Sequence, residues 1–411
     1  MLLFSESFDL YSNLSQKWDA VEYVTYGFTT YPQITPAAAR NGPNGLQIVS
    51  QGGNHTGLQK NFSSRATYYV GFAFNALGWG GSAPLVGLWD GSTNQCEIWL
   101  NMTGNFQFFR NSGATALGHE STYALSFGCW HYIEVLMTIN STSGVCQLRV
   151  DGNLVLQLAG QNTQASGNAS ASGVIIGPWE FATAAVTFDM YIDDLVIYDN
   201  AGSYNNSFIG DVRVTAQVPS GNGSTNNYSQ NAASWAASTV EAVGNGIVDS
   251  NGNLQRILSV TSDAKTGSTT PSWATTLGAT TLDNHVTWIL VEKSPLSNYA
   301  FVNEVPPDDN DTYLSDATVN DEDLYTFPSI AGDSVAAVMV NLRACKDDSS
   351  VRSIRALAKS GSTTADSGTD LPLSQNIYAD YQGAFEVDPN TGLPWAISGV
   401  NAAQFGIKTT A

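Results

Sequence analysis

The run Phe188-Asp-Met-Tyr-Ile-Asp-Asp-Leu-Val-Ile-Tyr198 sets β-branched and aromatic residues around acidic ones, with turn formers close behind. That composition packs well on a pleated surface and poorly on a helix, so the run is a strand. Phe4-Ser-Glu-Ser-Phe-Asp9, at the other end of the same 200 residues, has the same character. Comparable runs fall at 66–74, 85–89, 95–100, 106–110, 132–139, 147–150 and 174–176, roughly 8–15 residues apart. Turn clusters such as Gly78-Trp-Gly-Gly-Ser82 and Asp90-Gly-Ser-Thr-Asn94 separate them. No window longer than about ten residues keeps a period of 3.6, so helices are expected to be few and short. An all-β chain follows.

Between the two end strands lie Trp130-His-Tyr-Ile-Glu-Val-Leu-Met137 and Gln147-Leu-Arg-Val-Asp-Gly-Asn-Leu-Val-Leu156. The second is two apolar runs hinged by Asp-Gly-Asn, a hairpin signal. This order resembles the laminin-G-like or concanavalin-like sandwich: an aromatic opening strand, a W-x-x-x-E-V strand, a V-D-G hairpin and a closing I-D-D-L-x-I-Y strand. The resemblance implies a two-sheet jelly roll over residues 1–200, with its first and last strands paired. It also implies a scaffold that binds more often than it catalyses. Some laminin-G-like domains hold calcium, which makes Asp9, Asp193 and Asp194 candidate ligands where the terminal strands meet. The alternative is that Asp193 and Asp194 accept hydrogen bonds from loop amides. No cofactor is required on this reading, and calcium is the one candidate.

A polar linker, residues 201–207, leads into a second region. There G-D-V-R-V (Gly210 to Val214) is followed by N-Y-x-x-V-x-E-V-P-P-D-D (Asn298 to Asp309) and K-D-D (Lys346 to Asp348). R-x-I-R (Arg352 to Arg355) and E-V-D-P-x-T-G-x-P-W (Glu386 to Trp395) complete the set. Together these resemble a C-terminal module of tailed-bacteriophage structural proteins, which commonly follows a concanavalin-like domain. The resemblance covers residues 208–231 and 294–411, expected to form a second β-sandwich with Arg213-Val-Thr and Tyr299-Ala-Phe-Val in one sheet. Residues 232–293 are expected to be an inserted module. Thr270-Pro-Ser-Trp273 and Leu282-Asp-Asn-His-Val-Thr-Trp288 resemble a small phage tail and fibre β-repeat, with a P-x-W turn and then x-D-G-x-V-T-W. Here Asn284-His285 replaces the usual glycine, and Asn tolerates positive φ.

Sixteen basic residues against 36 acidic ones give a net charge of −20. Both halves are acidic, with 6 basic and 14 acidic residues up to position 200 and 10 and 22 after it. No basic patch is available for phosphates, so a nucleic-acid partner is not expected. No apolar stretch is long enough to span a membrane. The opening Met-Leu-Leu-Phe-Ser-Glu lacks the basic and apolar regions of a signal peptide, so release by assembly or lysis is the expectation. Cys96, Cys129, Cys146 and Cys345 include no C-x-x-C pair. Cys129 and Cys146 flank adjacent predicted strands and could bridge, but free buried thiols are expected.

Glycoside hydrolysis needs two carboxylates close together on one face. Glu97-Ile-Trp-Leu-Asn101 offers one acid where alternate positions should offer more, and Asp189, Asp193 and Asp194 sit on a terminal strand. A Ser-His-Asp triad lacks a G-x-S-x-G elbow, and His131, beside Trp130 on a strand, is expected to be structural. Phosphate-loop and H-E-x-x-H signatures are absent. Eight acids between Glu304 and Asp323, with no Lys or Arg among them, could hold a cation or a basic partner. A solvated loop is the plainer expectation. Trp79, Trp89 and Trp273, next to turns, are the candidates for stacking on a sugar ring, although tryptophans in sandwiches are mostly core.

The expectation from sequence is a non-enzymatic structural protein on the exterior of a tailed-phage virion, as a capsid decoration, head fibre or tail-associated fibre. Its partners would be other virion proteins, further copies of itself as a homo-oligomer, and a host surface glycan. The alternatives are a dedicated carbohydrate-binding receptor module and a glycan depolymerase.

Overall fold

In the computed structural model the chain is all-β, with one short α-helix, Ile397–Ala402, among the described residues. The structure describes residues 1–26, 29–50, 55–179 and 187–411. It divides into two compact units, residues 1–216 and 217–411. Among the described residues no helix is long and apolar enough to cross a membrane.

The first unit is a jelly-roll sandwich of two antiparallel sheets. One sheet runs in the order 153–161, 144–150, 131–138, 67–80, 187–198, 45–50 and 33–35. The opening strand Leu2–Glu6 joins it end to end with 45–50, pairing the far half of Thr187–Tyr198. The expected pairing of first and last strands is therefore present. The other sheet runs 115–117, 106–110, 93–101, 82–90, 171–176, 57–65 and 20–22. Alternation explains the layer between them: in Gly144–Val150 every second residue is buried, because successive side chains point to opposite faces. Phe72, Phe74, Ile98, Phe108, Val135 and Ile192 are fully or almost fully buried in this core. The sequence patterning did not single out 20–22, 33–35, 45–50 and 57–65.

The unit extends past the boundary expected at residue 200. Phe208 sets its ring edge-on to Tyr69 at 5.2 Å and lies 4.4 Å from the Arg149 guanidinium. The Ile209 and Gly210 amides donate to Glu134 at 3.1 and 2.9 Å. G-D-V-R-V is thus a strap fastened to the sandwich and contains no strand.

The second unit is built on a sheet ordered 221–226, 322–326, 404–409, 353–360 and 363–366, with Leu371–Pro372 also pairing 353–360. A two-stranded ladder, Val338–Ala344 with Ala379–Phe385, packs on it through Val340, Phe385, Ala356, Phe405 and Trp395. The strands Ser229–Ala232 and Thr312–Ser315 pair with each other. Between them the chain forms a four-stranded sheet ordered 246–248, 254–260, 286–292 and 280–283. This sheet has its own core of Ile247, Ile257, Trp273, Val286 and Trp288. Arg213 and Tyr299 share no sheet: Arg213 lies in the strap, and Tyr299 in the 3₁₀ turn Asn298–Phe301.

Candidate functional site

The closing strand slips once against its neighbour between Asp189 and Met190, runs in register from Met190 to Asp193, opposite Ala73, and slips again so that Val196 faces Gly71. Asp194 takes φ +53° at this point. Such a bulge re-aims side chains, and here it leaves both carboxylates fully buried. Asp193 accepts the amides of Arg40 at 2.7 Å, Asn41 at 2.9 Å and Asp194 at 2.7 Å. Asp194 accepts the Val214 amide at 2.8 Å and lies 3.4 Å from Arg40 Nη1. Asp9 accepts the Asn44 amide at 3.0 Å, and its carboxylate lies against Gly42, where a Cβ would overlap it.

Of the three aspartates put forward for calcium, Asp193 and Asp194 therefore tie the Arg40–Asn41 loop and the strap to the bulge, and Asp9 holds the backbone at Asn44. Among the described residues no group of three or more His, Cys, Asp or Glu is placed to share a metal. Burial pushes the Asp9 and Asp194 carboxyls above the usual carboxylate range. Asp193 is pushed up to about 7, by burial first and by the neighbouring Asp194 second, against the three amides.

Of the three tryptophans, Trp89 is 5% exposed and Trp273 8% exposed, which leaves no ring face for a sugar. Trp273 meets Trp288 edge-on at 5.7 Å inside the small sheet. Trp79 is half-buried. Its ring packs against Phe74 and Phe188, and its indole N–H donates to the Leu100 carbonyl at 2.9 Å. The flanking strand and loop positions Leu77 and Met102 are exposed. Glu97 is buried and takes the Asn94 amide at 2.6 Å, and Asp189 takes that of Gln47 at 2.9 Å.

The loop that carries Trp273 does border a depression of about 530 Å³ in the second unit. It is lined by Ser238, Lys265, Thr266, Thr269, Pro271 and Asn284 among others. Asn284 has φ +55° and donates to the Lys265 carbonyl at 3.0 Å, so it fills the glycine position of the turn as expected. Hydroxyls, an ammonium and an amide face this hollow, with Trp273 in the core beneath. Such a surface can hydrogen-bond a polar ligand but offers it no aromatic platform.

The acidic run is not a solvated loop at its start. The Arg256 guanidinium reaches Glu304 at 3.2 Å and Asp308 at 3.0 Å, and it also donates to the Ala300 and Gly244 carbonyls at 2.7 and 3.2 Å. Arg343 takes Asp309 at 2.5 and 2.8 Å. Asp323 is buried and accepts from Asn226, Asn298 and Tyr325. The cations that these acids hold belong to the same chain.

Burial, and then repulsion by Asp308, pushes Glu304 up to about 7 from an ordinary 4.5. Asp311 is pushed up to about 6 from 3.8 for the same reasons. Between those values the folded unit holds protons that the unfolded chain has released, so stability falls as pH rises. This contribution is full near pH 4 and is lost as pH climbs through about 6 to 7. The urea midpoint of the second unit is expected to be higher at pH 5 than at pH 8. A midpoint that climbs with pH over that window would show that these carboxyls are not the ones held protonated.

One constellation escaped the sequence reading. His131 Nδ1 lies 2.7 Å from Asp151 Oδ2, and its Nε2 faces Ser126 Oγ at 2.9 Å and Cys129 Sγ at 3.3 Å. The only signal in the sequence was the closeness of Ser126, Cys129 and His131. Asp151, twenty residues on, arrives through the hairpin. Cys129 is exposed, which corrects the expectation of a buried thiol, and all four cysteines are free. The buried Cys96 and Cys146 face each other at 3.6 Å.

No protein-family model matches the chain, and no curated protein matches it. Among solved structures, alginate lyase Aly36B aligns at 13% identity and a TM-score of 0.32 over 48% of this chain and 96% of that one. Trypanosoma rangeli sialidase aligns at 17% identity and a TM-score of 0.28 over 43% of this chain. The match takes in 29% of the sialidase's own length. Similarity at that level establishes neither a shared site nor a shared activity.

Proposed function

We propose that this chain is a non-enzymatic structural protein of a tailed-phage virion, exposed on the particle exterior as a capsid decoration, head fibre or tail-associated fibre. The observation that carries this reading is the role of the phage-like motifs in the second unit. Glu304 and Asp308 of E-V-P-P-D-D clamp Arg256. Arg355 of R-x-I-R pairs Asp366 and Asp370. Trp395 of the closing motif is buried, with its indole N–H on the Phe385 carbonyl at 2.9 Å. The residues that resemble the phage module are those that hold a β scaffold together, which supports a structural role. Virion proteins, further copies of the chain and a host glycan would be its partners.

The test is peptide mass spectrometry and cryo-electron microscopy of purified particles of the phage that encodes it. Peptides at stoichiometric level and assignable outer density are expected. Absence from intact particles would end the proposal.

The hydroxyl-lined depression and the half-buried Trp79 favour a second reading, a dedicated carbohydrate-binding module. It expects glycan-array binding that Lys265→Ala or Trp79→Ala removes, and an array without signal would count against it.

A further inference from the structure

The hairpin after Gly144–Val150 positions a carboxylate as well as reversing the chain. Asp151 and Gly152 take φ +51° and +77°, the left-handed pair that suits a tight hairpin turn. In this turn the Asp151 amide donates to the Tyr132 carbonyl at 2.9 Å. Its Oδ1 accepts the Tyr132 amide at 2.8 Å. Only Oδ2 is left for His131 Nδ1, at 2.7 Å. The imidazole is 9% exposed, and its Nε2 points at the loop of Ser126 and Cys129.

We propose that Cys129 is a base-activated nucleophilic thiol, with His131 as its base and Asp151 as the orienting carboxylate, and that it exchanges with small disulfides. A nucleophile within reach of a base that a third group orients is the arrangement that activates a weak nucleophile. Asp151 keeps the proton on Nδ1, so the Nε2 lone pair faces the thiol. The Ser126 carbonyl, 3.1 Å from Nε2, can only accept. Once Nε2 carries the thiol's proton, that carbonyl and the thiolate both accept from it, a charge-assisted arrangement. Ser126 Oγ shares the same nitrogen, but a thiol yields its anion far more readily than a hydroxyl does.

The depression of the second unit includes none of these residues, and Ser126 and Cys129 are exposed. The reagent therefore arrives from solvent, which makes this a modification site and leaves the proposed non-enzymatic role intact. In the exchange the Cys129 proton passes to His131 Nε2 and Sγ attacks one sulfur of the disulfide. The new S–S bond forms as the old one breaks, and the departing thiolate takes the proton from His131. Cys129 is oxidised to a mixed disulfide and the incoming disulfide is reduced, with no other reactant.

The test treats the full chain at neutral pH with oxidised glutathione and follows each cysteine by peptide mass spectrometry. Cys129 is expected to react at least about tenfold faster in the native protein than in His131→Ala. Asp151→Asn should fall between them, and Ser126→Ala should keep the native rate. Native and His131→Ala rates within about twofold of each other would overturn the proposal, as would a fluorophosphonate probe that labels Ser126. Cys96 and Cys146 report folding, because they stay unmodified while the core is intact. Should His131→Ala expose them, the native Cys129 rate against free glutathione decides, and a rate no faster than that thiol's would overturn the proposal.

Discussion

Arg256→Met is expected to destabilise the second unit by about 3–5 kcal/mol, the usual cost of removing one partner from a buried ion cluster. The guanidinium is 11% exposed, against 8% for Glu304 and 1% for Asp308. Its loss strands two carboxylates and the carbonyls of Gly244 and Ala300, to which it donates. Methionine fills similar volume, so the penalty is electrostatic and not a cavity. The damage should be smaller at pH 5 than at pH 8, because Glu304 is already pushed up to about 7 and can take a proton there. Adding Glu304→Gln and Asp308→Asn to Arg256→Met should recover part of the loss. Urea titration of the second unit's transition is the measurement. A loss below about 1 kcal/mol would mean that water reaches the cluster and screens it.

Trp288→Ala is expected to cost about 3–5 kcal/mol, the range for deleting a buried aromatic side chain. Trp288 is fully buried and meets Trp273 edge-on. Its indole N–H donates to Asp283 at 3.2 Å, on the oxygen that also takes the Trp235 indole at 2.8 Å. The other Asp283 oxygen takes the Gly267 amide at 2.7 Å. The substitution opens a cavity in a four-stranded sheet that has few other large residues. Limited proteolysis should then cut first within 232–293, and the second unit's urea transition should broaden or split. An unchanged cleavage pattern would show that the small sheet draws its stability from elsewhere.

These two substitutions also explain the motifs. The D-x-x-V-T-W pattern is a carboxylate that gathers two indoles and an amide, and P-x-W supplies the facing ring. E-V-P-P-D-D places Glu304 and Asp308 around an arginine that lies 48 to 52 positions earlier. Each motif was visible as a string of residues. Its partner was not, because the contact is made by chain closure over a distance that local composition does not encode.

The aspartates of the closing strand show the same division. Their placement on a terminal strand was legible, and so were two readings of them, metal ligands or amide acceptors. The choice between the two depends on a one-residue slip at Asp194 that turns both side chains inward. Trp89 and Trp273 looked like loop aromatics because turn formers flank them, and the sheets close over both rings. In the acidic run, the absence of Lys and Arg nearby suggested solvent, whereas the neutralising arginines come from distant strands.

By itself the sequence determined that this chain is all-β and placed several of its strands and turns, while the pairing of its first and last strands came from the resemblance. Strand periodicity and turn chemistry are local properties, set by side-chain alternation and by which residues tolerate positive φ. Tertiary structure alone decided which carboxylates are buried and what neutralises them, which tryptophans keep a free face, and that Asp151 meets His131 beside Cys129. Those outcomes depend on distances between residues that are far apart in the chain, and only closure of the sheets sets such distances.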